Sequence, residues 1–233
     1  MWPYMTRSLR PALPTPFALR HPLQITRKHG FTPGRFKGTT RVSFHFQLTL
    51  QLMYRSPIKH CKNCGTEVTY RLPDDGDTKE RAVCPACGTT HYENPLNVVG
   101  TVPHWGDQVL LCKRNIEPRW GKWTLPAGFM ELNETTSQGA ARETDEEAGA
   151  QFEMQDLFSV LNVARVGQVH LFYRARLLSD QFKPGHETIE ARLFTEAEIP
   201  WDELAFKTVK ETLVRYFADR RSGVYGIHAI DIV

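Results

Sequence analysis

The chain has 233 residues, of which 41% are hydrophobic and 24% charged, and its formal net charge is +3. Its apolar runs are far shorter than the about 18 residues that a membrane-spanning helix needs, so the sequence predicts no such helix. Residues 1–66 contain eleven Lys or Arg and no acid, whereas residues 67–233 contain eighteen basic and twenty-six acidic residues, a net charge of −8. The basic balance therefore belongs to the N-terminal segment, and it does not predict that the rest of the chain binds nucleic acid.

Residues 1–55 include several prolines and show little periodic pattern, and we expect them to form a disordered basic extension. Three interpretations stay open. The segment is a translated upstream region if Met53 is the true first residue. It is an organelle transit peptide if its Arg-rich, acid-poor composition has that meaning. It is otherwise a basic arm that contacts nucleic acid or an acidic membrane surface. The first interpretation predicts a cytoplasmic protein and the second a plastid or mitochondrial one.

Two Cys-x2-Cys pairs come next, Cys61–Cys64 and Cys84–Cys87, separated by nineteen residues and each followed directly by Gly. Such spacing indicates one tetrahedral Zn²⁺ held by four thiolates. The alternatives are buried free thiols or two disulfides, and disulfides would need an oxidising compartment. We predict a small zinc module over residues 58–92, because the Asp- and Gly-rich span between the pairs cannot bury a core unaided. The fifth cysteine, Cys112, is predicted to be a buried strand residue.

After a linker at residues 93–95, the chain alternates strand and helix patterns. The first strands are predicted over residues 97–102 and 108–113. A helix from Thr135 to Ala148 follows, with Asn133 as its N-cap. Further strands are predicted over residues 152–163, 168–178 and 189–194. The last element is a helix from Glu203 to Arg221, ended by Gly223, with an apolar stripe at Leu204, Val209, Leu213, Val214 and Phe217. Strands flanked by helices predict an α+β domain over residues 95–222.

The first of these helices places Glu143, Glu146 and Glu147 on one face. Three carboxylates there repel one another, and they lie at the helix end where the dipole disfavours negative charge. Divalent cations with a preference for oxygen ligands, Mg²⁺ or Mn²⁺, would neutralise them. The small residues Thr136, Gly139 and Ala140 share the face, so a ligand could approach closely. A solvated acidic surface is the alternative for the glutamates taken alone.

The helix and the loop before it fit one longer pattern, G-x5-E-x7-R-E-U-x-E-E-x-G-U, where U is usually a bulky aliphatic residue. All fixed positions are filled, by Gly128, Glu134, Arg142, Glu143, Glu146, Glu147 and Gly149. Thr144 and Ala150 stand at the two U positions, where larger residues are usual. This pattern is the Nudix box, and the chain resembles the Nudix hydrolases.

The resemblance implies an α/β/α sandwich with a mixed sheet, preceded here by the zinc ribbon. It also implies hydrolysis of a diphosphate linkage in a nucleoside diphosphate derivative. By the same resemblance, Glu143, Glu146 and Glu147 ligate Mg²⁺ or Mn²⁺, and Arg142 pairs with Glu134 to orient them. Gly128 and Gly149 are structural positions in the box, and the Gly128 carbonyl is a further potential ligand.

Substrate identity rests on the order zinc ribbon, linker, box. That order resembles bacterial zinc-ribbon Nudix hydrolases and plastid FAD diphosphatases, and it implies ADP-ribose, FAD or a similar small molecule as substrate. NADH diphosphatases carry a Ser-Gln-Pro-Trp-Pro-Phe-Pro run after the box, which residues 151–233 lack. Two alternatives stay open: nucleoside-triphosphate house-cleaning, and a Nudix-derived regulator that senses a ligand or binds nucleic acid through the ribbon. A homodimer is common in the family, and no membrane partner is expected.

Other candidate residues have no motif behind them. Glu187 and Glu190 are candidates for a general base carried by a loop. Arg119 and Arg174 are candidates for phosphate contacts. Candidates for stacking on a base are Trp120, Phe158 and Phe172, although aromatic residues at strand spacing are more often part of a core.

Overall fold

A computed structural model of the chain describes residues 56–233. The expected extension, residues 1–55, lies outside the described residues. No helix within residues 56–233 is long and apolar enough to cross a membrane.

The first part of the described chain forms a small antiparallel sheet in the order β1 (Thr69–Arg71), β2 (Arg81–Val83), β3 (Thr90–His91). The first cysteine pair precedes β1, and the second lies between β2 and β3. Ala82 and Val83 are buried, whereas all of β1 is exposed. So few buried side chains give this module little hydrophobic stabilisation of its own, as the sequence indicated.

A larger mixed sheet follows. Its strands are β4 (Leu96–Trp105), β5 (Gln108–Arg114), β6 (Trp123–Thr124), β7 (Ala127–Phe129), β8 (Phe152–Val163), β9 (Gln168–Leu177), β10 (Thr188–Phe194) and β11 (His228–Asp231). The main path runs β10-β5-β4-β9-β8-β11. The pairs β4/β9 and β8/β11 are parallel, and the other pairs are antiparallel.

The β4–β5 hairpin opens immediately after its turn. The two strands pair only at His104–Val109 and Trp105–Gln108. Beyond that point β5 pairs with β6 and β4 pairs with β7, so the segment from Trp123 to Phe129 is inserted between them. This insertion carries Gly128 into the sheet and leads directly to the next helix.

Two helices cover the sheet, α1 (Thr136–Ala148) and α2 (Lys207–Ser222). Side chains of β5 alternate between two cores. Val109 and Leu111 belong to the core that contains α2 residues, and Leu110 and Cys112 to the core that contains Ala148 of α1. The structure confirms the α/β/α sandwich with a mixed sheet, preceded by the small cysteine module.

Several local predictions need correction. Asn133 is not the helix cap: its φ is 69°, and Thr135 caps α1. The second helix starts at Lys207, because Trp201–Glu203 forms a separate 3-10 turn. Val214 is exposed, and the buried stripe uses Tyr216 instead. Strand β11 was not predicted.

Candidate active site and metal centre

Helix α1 is fixed at both ends. The Thr135 hydroxyl accepts a hydrogen bond from the Gln138 amide, and the Gln138 side chain accepts one from the Thr135 amide, which forms a capping box. At the other end Gly149 adopts the left-handed conformation, and its N–H donates to Asp145 O. The box helix therefore has defined limits that hold its glutamates in register.

The three box glutamates differ in their exposure to water. The Glu146 side chain is 59% exposed and that of Glu143 13%. Glu147 is buried, and its Oε2 accepts a hydrogen bond from the Ala127 amide at 3.0 Å. Burial raises the pKa of Glu147 to about 8 and also raises the pKa of Glu143. The face therefore holds two partly desolvated carboxyls that a cation would stabilise in ionised form.

Arg142 joins these carboxylates to the preceding loop. Its guanidinium donates to both oxygens of Glu134 at 2.9 and 3.1 Å, and to Phe129 O at 3.1 Å. It also donates to Glu143 at 2.8 Å and Glu146 at 3.1 Å. These hydrogen bonds raise the pKa of Arg142 and lower that of Glu134. The planar fork of one arginine thus holds loop and helix together.

Gly128 and Gly139 stand where no side chain fits. A Cβ on Gly128 would collide with the carboxylate of Glu143, and one on Gly139 would meet Glu134 and, at 2.8 Å, Val99. Gly139 and Ala140 are buried, and α1 packs against β4. The small-residue face is therefore used for packing against the sheet and the box loop, and not for the approach of a ligand as the sequence suggested.

Thr144 occupies one of the positions where a bulky aliphatic is usual. It is fully buried, donates to Ala140 O at 2.7 Å, and lies 2.7 Å from the hydroxyl of Thr101 on β4. The departure from the pattern is compensated, because each buried hydroxyl has a partner.

A fourth glutamate lies close to the box. The segment before β10 is docked on the end of α1: the amides of Lys183 and Gly185 donate to the carbonyls of Ala148 and Glu147, at 2.9 and 3.4 Å. Its other end is held by the Asn115 amide, which donates to Glu187 O at 2.8 Å. The charge of Glu187 contributes to the raised pKa of both Glu143 and Glu147. Glu190, the other candidate, lies on β10 beside Arg192.

The arginine and aromatic candidates from the sequence lie in two different places, the α2 side of the sheet and an exposed loop. Arg174 stacks on Tyr225 with 4.0 Å from its Cζ to the ring centroid and faces Asp156, while Phe158 and Phe172 lie in the α2-side core. Arg119 and Trp120 are exposed in the loop between β5 and β6. The sequence analysis passed over a buried arginine, Arg114 at the end of β5, whose pKa is affected by the charges of Glu147, Glu187 and Glu117.

The four cysteines of the small module converge. Their sulfur atoms all lie within 4.8 Å of one another, with separations of 3.6 Å for Cys61–Cys87, 3.4 Å for Cys64–Cys84 and 3.6 Å for Cys64–Cys87. A tetrahedral ion with S ligands at about 2.3 Å requires S–S separations of about 3.8 Å, whereas a disulfide requires about 2.05 Å. The cluster fits a metal ion and not two disulfides. Cys112, by contrast, is buried in β5, as predicted.

Comparisons with known proteins agree with this arrangement. A family model described as "Nudix N-terminal", a zinc ribbon, matches residues 59–93, and the NUDIX domain model matches residues 95–217. The chain belongs to the Nudix family. A crystal structure of a NUDIX hydrolase from Nitrosomonas europaea has 49% sequence identity and a TM-score of 0.71, and it matches 75% of this chain and 100% of that one.

Relatives with more specific names are more distant. The NAD-capped RNA hydrolase NudC of Pseudomonas aeruginosa is 27% identical over 168 residues, which are 71% of this Nudix chain but 57% of that protein. The ADP-ribose pyrophosphatase of Methanocaldococcus jannaschii is 28% identical over 119 residues, covering 49% of this chain and 69% of that protein. A Streptococcus suis structure named as an ADP-ribose pyrophosphatase has 26% identity and a TM-score of 0.50, and matches 58% of this chain and 99% of that one.

Proposed function

We propose that this Nudix protein hydrolyses the diphosphate linkage of a nucleoside diphosphate derivative, such as ADP-ribose or FAD, to a nucleoside monophosphate and a phosphorylated product. One observation carries the proposal: Glu143, Glu146 and Glu147 converge on one face of α1, with Arg142 bonded to two of them and to the loop in front. An ordinary acidic surface would be solvent-exposed throughout, without an arginine that links its carboxylates to a loop and without a buried carboxylate such as that of Glu147.

The residues present suit a hard cation, because the cluster offers only oxygen ligands. Glu143, Glu146 and Glu147 would hold Mg²⁺ or Mn²⁺, which when bound lowers the pKa of a water molecule and offsets phosphate charge. Arg142 and Glu134 keep the three carboxylates in place. Glu187 is better placed than Glu190, which lies on β10, to accept the proton of the attacking water, because the segment that carries Glu187 is docked on the end of α1. The cysteine cluster would hold a structural Zn²⁺ whose four thiolates leave no position for substrate.

Two observations support the proposed substrate class: some relatives carry the name ADP-ribose pyrophosphatase, and one sequence element is missing. Five of the curated relatives carry the name NAD-capped RNA hydrolase and one the name ADP-ribose pyrophosphatase, which the Streptococcus suis structure also carries. The Ser-Gln-Pro-Trp-Pro-Phe-Pro run expected of NADH diphosphatases is absent from residues 151–233. This absence favours a small ADP-linked or flavin-linked molecule over an NAD-type substrate.

A hydrolysis panel with identification of the products tests the proposal. The full chain would be incubated with Mg²⁺ or Mn²⁺ and ADP-ribose, FAD, NADH, NAD-capped RNA, nucleotide sugars and nucleoside triphosphates. We expect AMP and ribose 5-phosphate from ADP-ribose, or AMP and FMN from FAD, and no turnover with chelator present. Release of pyrophosphate from triphosphates alone, or turnover of none of these compounds, would contradict the proposal.

A further inference from the structure

The four cysteines of the small module are not equally covered by protein. Cys61 and Cys84, the first cysteine of each Cys-x2-Cys pair, are 3% and 1% exposed. Cys64 and Cys87, the second cysteine of each pair, are exposed. The cluster of sulfur atoms therefore has a buried half and a solvent-facing half, and each cysteine pair contributes one sulfur to each half.

Backbone hydrogen bonds hold the buried half in place. The amide of each buried cysteine donates to the carbonyl five residues later in the chain, and its carbonyl accepts from the amide four residues later. These bonds run from Cys61 N to Thr66 O, from Gly65 N to Cys61 O, from Cys84 N to Thr89 O and from Gly88 N to Cys84 O, at 2.8 to 3.0 Å. Each buried cysteine thus closes a tight turn, and the exposed cysteine lies within that turn.

The two exposed sulfur atoms are neighbours. Cys64 Sγ lies 3.6 Å from Cys87 Sγ. Each has a hydroxyl group beside it, Thr66 Oγ1 at 3.4 Å from Cys64 and Thr89 Oγ1 at 3.1 Å from Cys87. Asn63 links the two turns, because its Nδ2 donates to Thr89 Oγ1 at 3.1 Å. A disulfide bond is about 2.05 Å long, so the exposed sulfurs need to approach each other by only about 1.5 Å to form one.

The exposed pair combines the two features that make cysteines sensitive to peroxides. Metal-bound cysteines are deprotonated, and the thiolate is the reactive form of cysteine. Oxidant-sensing cysteines are solvent-accessible thiolates with a second cysteine next to them. Cys64 and Cys87 meet both conditions, whereas Cys61 and Cys84 are not accessible. Cys112 is buried in β5, outside the cluster.

We propose that Cys64 and Cys87 form an oxidation site, at which hydrogen peroxide converts the two thiolates into a disulfide that joins the two turns. In the first step one thiolate attacks the peroxide, the O–O bond breaks, and a sulfenic acid and one water form after uptake of a proton. In the second step the other thiolate attacks the sulfenic sulfur, the S–O bond breaks, and the S–S bond forms as a second water leaves with another proton. The two sulfurs together lose two electrons, and the peroxide gains them.

Oxidation of this pair would remove half of the metal site. A Zn²⁺ ion at the cluster would keep only Cys61 and Cys84 as ligands, so we expect it to dissociate. The small sheet buries few apolar side chains, so we expect the module to lose its order when the ion leaves. The Nudix domain has a core on each side of its own sheet and should stay folded. None of these steps depends on the proposed function.

The test treats the zinc-loaded full chain with hydrogen peroxide. A chromogenic chelator follows zinc release, and mass spectrometry of alkylated peptides locates the disulfide. We expect about one zinc ion released for each disulfide formed, since one ion needs all four thiolates. Cys64–Cys87 should be the first disulfide to appear, and a reductant with added Zn²⁺ should restore the site, because disulfide formation is reversible.

Four results would overturn the inference. They are a wild type that holds no zinc, zinc that stays bound at peroxide concentrations that oxidise free cysteine, oxidation to sulfinic acid without a disulfide, and a first disulfide that contains Cys61, Cys84 or Cys112. Since none of these measurements uses a nucleotide, the inference and the proposed function can fail separately.

Two variants separate the exposed pair from the other cysteines. C87H replaces one exposed thiolate by an imidazole, and three cysteines with one histidine also form a tetrahedral zinc site. C87H should release zinc at least about tenfold more slowly than the wild type, because Cys64 then has no exposed partner. C112S is the matched control and should release zinc at the wild-type rate.

Equal release rates in C87H and the wild type would show that a buried cysteine reacts with oxidised Cys64, and the inference would be wrong. If C87H bound no zinc, C64H would be compared in the same way. If neither variant bound zinc, the position of the first disulfide in the wild type would decide.

Discussion

At the scale of single residues, the carboxylates near the box are distinguished by their access to water. Glu146 is mostly exposed, Glu143 is largely covered, and Glu147 is buried with a backbone amide as its hydrogen-bond donor. Burial disfavours the ionised form of a carboxyl group, so the buried members depend most on a neighbouring cation. Glu187 adds a fourth negative charge to the same place.

The first prediction compares Glu187, in the loop before β10, with Glu190, which lies on β10. E187Q should lower turnover about a hundredfold, because a positioned general base contributes that much or more. E190Q is the matched control: Glu190 lies on β10 next to Arg192, and its loss should leave turnover near the wild-type value. Initial rates at saturating Mg²⁺ measure both. Equal rates in the two variants would remove Glu187 from the reaction.

The second prediction concerns pH and His170. Burial lowers the pKa of His170 from 6.5 to about 4 in the folded chain. A histidine that stays neutral when folded and takes up a proton when unfolded contributes stability above pH 6.5, and that contribution is lost as the pH falls towards 4. The melting temperature of H170Q should therefore fall less than that of the wild type between pH 7 and pH 4. Parallel declines in the two proteins would contradict this assignment.

At the scale of elements, the site depends on how loops are attached to α1. The loop before the helix is held by Arg142, and the segment before β10 is docked on the helix end through Lys183 and Gly185. A Cβ on Gly185 would run into the carbonyl oxygen of Glu146. Because that oxygen belongs to a helix backbone, the docked segment would have to move, and Glu187 with it.

The third prediction follows from that contact. G185A should lower both turnover and melting temperature, the latter by a few degrees, since about 1 kcal/mol corresponds to about 2–4 °C in a domain of this size. G226A is the control, because a Cβ there meets nothing within 4 Å. Thermal melts and initial rates of the two variants decide the matter. A G185A protein that behaved like G226A would show that the docked segment is not required.

The elements also show where sequence reasoning succeeds. Periodicity predicted β8 over residues 152–163 with its observed bounds, and it predicted β9 to within one residue. Both are long strands with strong apolar patterns. The four residues of β11 were missed, since a short segment that pairs in parallel with the distant β8 has no local signal.

The sequence also predicts the site residues that depend on local spacing better than those that depend on contacts between distant parts of the chain. The fixed spacing of the box was enough to place the glutamates together on α1, because that spacing is local. Arg114 was passed over, because Glu147 and Glu187, whose charges act on it in the fold, lie 33 and 73 residues away in the sequence. Arg174 was chosen as a phosphate candidate, although strand alternation places it on the opposite side of the sheet. Which face a strand residue occupies depends on the register with its neighbours.

At the scale of the whole molecule, the cysteine module and the Nudix domain have different sources of stability. The Nudix domain has a core on each side of its sheet. The small sheet of residues 69–91 buries few apolar side chains, so we expect a metal ion bound by the four cysteines to supply its folding free energy.

The fourth prediction is that the purified chain contains about one zinc ion, since four thiolates complete one tetrahedral site. C84S should lower the zinc content, because Cys84 is buried and its sulfur lies 3.4 Å from that of Cys64. C112S is the control and should keep its zinc, since Cys112 lies in β5 outside the cluster. Elemental analysis of the three proteins gives the answer. Equal zinc in C84S and C112S, or none in the wild type, would remove the claim.

The central claim is that the acidic face of α1 is the centre of a metal-dependent hydrolase, and the most direct measurement is the turnover of E146Q and E147Q beside E190Q. The panel substrate that the wild type cleaves fastest would be used, with Mg²⁺. Glutamine keeps the size of the side chain and removes its charge, so both box variants should stay folded. Their turnover should fall at least about a hundredfold, since a metal ion contributes several kcal/mol and each 1.4 kcal/mol is a factor of ten. E190Q should retain its turnover. Near-normal turnover in both box variants would contradict the account, because the glutamates would then be surface acids with no part in hydrolysis.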